Sequence, residues 1–231
     1  MYNNPKIFGL AFLGGIIPAL VWLYFWLKEE EKKPEPKGIL TIVFIMGMLA
    51  VVCVLPIQKF IQGQVSSNNL QLILWASAEE IIKYIAVLVI VYRAGYINEP
   101  IDWPIYMITA ALGFAALENT LFLIKPLSTG ATVVSLLTGQ FRFLGSTLLH
   151  TVSSGIVGIG LGISLYMKGF KKLWHVIIGI ILAITLHSVF NFFIIKVKVD
   201  NGFLEILKVL GFLWVVTIIL MLLFEKVRRM K

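Results

Sequence analysis

Charge is scarce in this chain of 231 residues: 14% of it is charged and 59% hydrophobic. A soluble domain of this size would carry about 25% charged residues, so the composition excludes an ordinary soluble fold. Cysteine is nearly absent. The single thiol, Cys53, excludes an intrachain disulfide and any cysteine-built zinc site. The chain also lacks a glycine-rich phosphate loop and an HExxH motif, which excludes nucleotide binding and zincin chemistry of the familiar kinds. No repeat or low-complexity stretch is present. The first apolar run, Ile7 to Leu27, exceeds the roughly 7 to 15 residues of a signal-peptide core, and is expected to stay as a helix.

What remains is a set of long apolar runs. A membrane-spanning helix needs about 20 apolar residues. Seven candidates follow: Ile7–Leu27, Ile39–Pro56, Leu70–Val91, Trp103–Leu123, Arg142–Met167, Trp174–Ile195 and Phe203–Phe224. The stretch Lys125 to Phe141 is too short for a span and reads as a surface loop or a re-entrant segment. The formal charge of +8 does not indicate nucleic acid, because the basic residues fall in separate clusters between the runs. These are Lys28, Lys32, Lys33 and Lys37, then Lys168, Lys171 and Lys172, then Lys226, Arg228, Arg229 and Lys231. With the N-terminus outside, twelve basic residues fall on the inner side and seven on the outer. The positive-inside rule selects that orientation. The expectation is one all-α domain over residues 1–231, a polytopic bundle of about seven transmembrane helices, N-out and C-in.

Ionisable residues inside those spans are the exceptions that carry information. Each charge at membrane depth costs roughly 2.5 kcal/mol or more, and is by default a functional residue. The third span holds Glu79, Glu80 and Lys83; the fourth, Glu118 and Asn119; the fifth, His150, Ser153 and Ser154; the sixth, His187 and Asn191. At about 1.5 Å per residue, Glu79 and Glu80 lie roughly 14 Å below the outer end of their span, Glu118 roughly 8 Å, and His150 and His187 roughly 12 Å. Four helices of alternating direction thus bring their costly groups to one layer in the outer half of the bilayer. Lys83 stands at i+4 from Glu79 and i+3 from Glu80, suited to neutralise one carboxylate and leave the other available. Arg142 begins its span and reads as an interfacial anchor.

Carboxylates and imidazoles at one depth suit water activation, with a glutamate as general base and a histidine or Asn191 stabilising an oxyanion. The same set suits zinc, with Glu80, Glu118, His150 and His187 as candidate ligands. They also suit a proton or ion relay, as in a proton-coupled transporter or channel, and a third reading is a non-catalytic membrane scaffold. A relay is more naturally spread across the membrane than confined to one layer, and no broken helix pair of the transporter kind is evident.

Four motifs in order, EEIIKY at Glu79–Tyr84, GFAALEN at Gly113–Asn119, RFLGSTLLHTVSSGIVG at Arg142–Gly158 and LHSVFN at Leu186–Asn191, resemble the PrsW family of intramembrane proteases. That family is similar in motif logic to the CAAX-prenyl-protease and bacteriocin-processing membrane peptidases. The resemblance covers a motif core of residues 70–195. It implies a bacterial plasma-membrane protease making the site-1 cut in a single-pass anti-sigma factor, on the extracytoplasmic side, at the start of a stress response. Carried over by motif, Glu79 and Glu80 would be catalytic and Glu118, His150 and His187 would complete the site. The wider superfamily usually has arginine after the glutamate pair; this chain has Lys83, as PrsW-like chains do. The resemblance leaves two routes to an activated water, a zinc ion or a glutamate–histidine pair alone.

Overall fold

The structure is a computed structural model describing residues 4–28, 34–130, 142–196 and 202–230. Seven α-helices make up the described residues: α1 (Pro5–Lys28), α2 (Lys37–Gln64), α3 (Asn68–Ala94), α4 (Asp102–Ser128), α5 (Thr147–Ile163), α6 (Gly169–Lys196) and α7 (Gly202–Arg228). One turn of π-helix, Arg142–Ser146, leads directly into α5. Six of these are long and apolar enough to cross a membrane, the π turn and α5 counting as one. The exception is α3, of equal length at 27 residues. Every 18-residue stretch of α3 contains Glu79, Glu80 and Lys83, so composition alone cannot qualify it. The architecture is the expected all-α polytopic bundle.

The bundle is organised around α4, which packs against α1, α2 and α5. A helix buried on all sides shows no polar stripe, and residues 102–116 of α4 are buried without a break. Small residues permit this crowding, as expected where helices must approach through packing alone. A Cβ on Gly47 of α2 would stand 2.0 Å from the Ala110 carbonyl, and one on Gly113 of α4 would stand 2.0 Å from that of Phe44. On the opposite side of α4, Gly158 of α5 lies against Pro104.

Several helix ends depart from expectation. Pro56 does not end α2, which continues to Gln64, and Pro126 lies within the last turn of α4. Proline inside spanning helices is tolerated where neighbouring groups satisfy the freed carbonyl. α5 stops at Ile163 rather than Met167, and α6 begins at Gly169 rather than Trp174. Of the segment read as a loop or re-entrant stretch, Lys125–Ser128 belongs to α4, and 131–141 lies outside the described residues. Arg142 opens the π turn; its side chain lies outside the described residues, and with it the anchor reading.

At the end of the bundle away from the glutamate layer, a carboxyl group is buried in the loop before α2. Glu35 is 9% exposed and accepts a hydrogen bond from the Tyr106 hydroxyl. Asp102, beside it, accepts from the backbone N–H groups of Asn98 and Glu99 at 2.7 and 2.8 Å. Burial, with added repulsion from Asp102 and Glu99, outweighs the Tyr106 bond and pushes Glu35 from 4.5 up to about 7. The folded protein therefore keeps a proton that the unfolded chain releases, and the contribution of Glu35 to stability is full below about pH 4.5 and is lost as the pH rises through about 7. Thermal unfolding in detergent across pH 4–8 is expected to show this decline in the native protein. Glu35→Gln should flatten it; an unchanged slope would show that another group is responsible.

Candidate active site

Adjacent residues on a helix point about 100° apart, so Glu79 and Glu80 meet different surroundings. Glu80 is fully buried and saturated. Its Oε1 contacts Lys83 Nζ at 2.6 Å and His187 Nδ1 at 2.8 Å, and its Oε2 accepts from Ser154 Oγ at 2.8 Å. Lys83, also fully buried, lies 3.2 Å from His150 Nδ1 and 4.9 Å from the centre of the Phe114 ring. Ammonium, carboxylate and aromatic face thus enclose one another, a setting in which ion pairs and cation–π contacts are strong. The sequence expectation that Lys83 neutralises one glutamate takes this form, with Glu80 as the partner.

Glu79 is the other case. Its Oε1 accepts from Gln58 Nε2 of α2 at 2.8 Å, while its Oε2 is buried without a hydrogen bond. That oxygen faces two imidazoles: His187 Nε2 at 3.6 Å and His150 Nδ1 at 3.9 Å. The rings meet edge to face, 5.0 Å between centres. Each is held from behind by a carboxylate, His187 Nδ1 by Glu80 and His150 Nε2 by Glu118 Oε2 at 3.2 Å. Ser146, at the end of the π turn, donates to the same Glu118 oxygen at 3.4 Å. A π turn widens the helix where a side chain must be re-aimed, and such turns gather at functional sites.

These groups form the floor of a cavity of about 580 Å³ lined by α2, α3, α4, the π turn, α5, α6 and α7. Its walls are apolar, among them Leu55, Trp75, Phe114, Phe190 and Leu210. Its polar lining comprises Gln58, Glu79, Glu118, Ser146, His150, His187 and Asn191. Asn191 stands one turn from His187 on the same face of α6, as the spacing indicated. Glu80 does not line the cavity. Asn119 instead ties α4 to α5 through Thr147 Oγ1 at 2.9 Å.

The donor set fits a divalent metal. Glu79, His150 and His187 each offer one ligand atom, all within 4.8 Å of one another. Carboxylates behind both imidazoles are the outer shell that metal-binding histidines normally carry. With the three glutamates ionised and Lys83 charged, the layer holds two net negative charges that a divalent ion would cancel. His150 Nδ1 also lies 3.2 Å from Lys83 Nζ, a contact that a metal on that nitrogen would replace. The group differs from the candidate ligands read from the sequence: Glu79 stands in it, while Glu80 and Glu118 stand behind the rings. Gln58 escaped the sequence reading altogether, because ending α2 at Pro56 left it in a loop.

A buried carboxylate–imidazole floor inside a membrane bundle is an arrangement with the chemistry for hydrolysis within a membrane, and comparison with known proteins gives the family. Residues 35–224 match the family model described as PrsW family intramembrane metalloprotease, and the chain belongs to that family. It is 30% identical over 185 residues to a protein named Protease PrsW from Geobacillus kaustophilus, covering 78% of each chain. It is 29% identical to one of the same name from Shouchella clausii and 26% identical to one from Bacillus subtilis, the latter over 87% of this chain and 88% of that one. No solved structure matches the chain significantly. With its apolar helices, family membership makes it a multi-pass protein of the bacterial cell membrane.

The Lys83–Glu80 pair allows a direct test of the site's electrostatics. Lys83→Met leaves Glu80 buried without its cation, which should cost about 3–5 kcal/mol of stability. Adding Glu80→Gln should recover most of that loss. Chemical unfolding in mixed micelles measures both; a Lys83→Met protein as stable as the native one would refute the pairing.

Proposed function

We propose that this protein is an endopeptidase that cleaves a single-pass membrane protein, of the anti-sigma factor kind, near its extracytoplasmic side, using water activated at Glu79, His150 and His187. The observation that carries the reading is Glu79 Oε2, a buried carboxylate oxygen without a hydrogen bond, facing two ring nitrogens at the floor of an otherwise apolar cavity. A buried acceptor left unpaired is costly, and here it lies where a water would be held.

Water against Glu79 Oε2 gives its proton to that carboxylate while its oxygen attacks the carbonyl carbon of the substrate peptide. Asn191 stands one turn from His187 on the cavity wall and donates its amide N–H to the oxyanion that forms. His187, its Nδ1–H given to Glu80, presents Nε2 as an acceptor toward the water. The proton then passes from Glu79 to the leaving nitrogen as the C–N bond breaks. Glu118 and Glu80 fix the two rings from behind. Zinc held by Glu79, His150 and His187 would supply Lewis acidity and a water of lowered pKa, and Glu79 would then serve as a ligand rather than as the base. The apolar walls exclude bulk water, which strengthens each of these interactions.

Cleavage of a co-expressed single-pass reporter tests the assignment. Glu79→Gln, His150→Ala and His187→Ala should each lower the rate at least about 100-fold, with the proteins still folded. Normal cleavage by all three would end the protease reading and leave a relay or a scaffold. Treatment with a zinc chelator should abolish activity, and added zinc should restore it. Full activity in a sample shown by elemental analysis to be metal-free would assign water activation to Glu79 and His150 alone.

The cavity lining extends from Glu79 to Leu72 on α3 and from His187 to Ile195 on α6, toward the helix ends that the basic-residue distribution assigns to the exterior. A cysteine at Ser66, exposed between α2 and α3, in a Cys53→Ala background, should react with a membrane-impermeant maleimide on intact cells. Labelling only after lysis would reverse the orientation.

A further inference from the structure

Glu80 is held by Lys83, Ser154 and His187, whereas the hydrogen bond to Glu79 comes from an amide on α2. Gln58 Nε2 donates to Glu79 Oε1 at 2.8 Å, and the Gln58 carbonyl accepts from Trp75 Nε1 at 3.2 Å. Trp75 and Glu79 are four residues apart on α3 and share a face. The two bonds therefore join one turn of α2 to one turn of α3, with the amide at one end and the indole at the other.

We propose that Gln58 is a positioning residue for the reaction: it pins one oxygen of Glu79 so that the other faces the ring nitrogens of His150 and His187. This rests on the water-activation reading above. The last torsion of a glutamate side chain is broad and roughly two-fold, so nothing within Glu79 itself decides which way its carboxylate plane turns. Gln58 decides it by supplying a single donor on the side away from the imidazoles. An amide suits the place. It is neutral, so it adds no charge to the layer. It also carries both a donor and an acceptor, so by turning over it can serve Glu79 after that carboxylate takes up a proton. A lysine there would add a competing cation, and a leucine would leave Glu79 Oε1 without a donor.

The test uses the full-length protein in liposomes with a single-pass reporter that it cleaves, carrying a fluorophore and quencher on either side of the cut. Gln58→Leu should lower kcat about 10- to 100-fold, the usual effect of removing a supporting hydrogen bond behind a reacting group, while KM changes less than about threefold. In a Glu79→Asp background, followed by single-turnover rates, the same substitution should cost less than about threefold more, since residues acting through one another are not additive. Thermal unfolding checks the fold, and leucine in an apolar wall should preserve it. Should Gln58→Leu fail to fold, Trp75→Phe removes only the tether and should lower kcat several-fold at unchanged KM. A kcat within twofold of native in the folded Gln58→Leu protein overturns the proposal. So does a rise in KM alone, or a fully multiplicative loss on Glu79→Asp. Native cleavage by Glu79→Gln would instead overturn the water-activation reading, a separate result.

Discussion

The contact between Lys83 Nζ and Glu80 Oε1, 2.6 Å long and sealed from solvent, is the constraint around which the interior is arranged. A charge at membrane depth persists only when other groups compensate for lost hydration. Compensation within α3 stops at this one pair. The remaining demands of Glu80 are met by Ser154 of α5 and His187 of α6, and the ammonium reaches His150 of α5 and the ring of Phe114 on α4. Four helices are drawn to one point by electrostatics, in an environment where the hydrophobic effect gives little drive for helices to associate.

Saturating Glu80 has a chemical consequence for its neighbour. Lys83 cannot serve both carboxylates equally, and helical geometry turns Glu79 toward the cavity instead. One glutamate becomes part of the scaffold and orients a histidine; the other keeps an oxygen without a hydrogen bond, facing two imidazoles. The doubled glutamate of the sequence is thus a division of labour between adjacent positions. The same logic governs the histidines. Each has one nitrogen fixed by a carboxylate, which sets the ring plane and directs the second nitrogen inward.

The fold supports this site by burying its centre and opening one side. α4 is enclosed by glycine-mediated contacts with α2 and α5, so Glu118 and Phe114 stand on a helix packed closely on both sides. Apolar side chains of α2, α6 and α7 complete the cavity lining. The result is a polar floor set among apolar walls.

Much of this was legible in the linear sequence. Seven apolar runs gave seven helices, because the bilayer fixes how long an apolar helix must be. Counting residues along those helices placed Glu79, Glu80, Glu118, His150 and His187 at one depth, because the helical rise converts position into height. The four motifs carried the family. Helix ends were less legible: the second run was ended at Pro56 and the fourth at Leu123, yet α2 continues past Pro56 to Gln64 and α4 past Pro126 to Ser128. Rotation about the helix axes was decided only by packing. It determined that Glu80 takes the lysine and Glu79 the cavity, and that Glu79 rather than Glu80 or Glu118 joins the two histidines. It also brought Gln58, from beyond a proline, to the carboxylate. Spacing along one helix says which residues share its face; which face meets which neighbour depends on how seven helices fill space together.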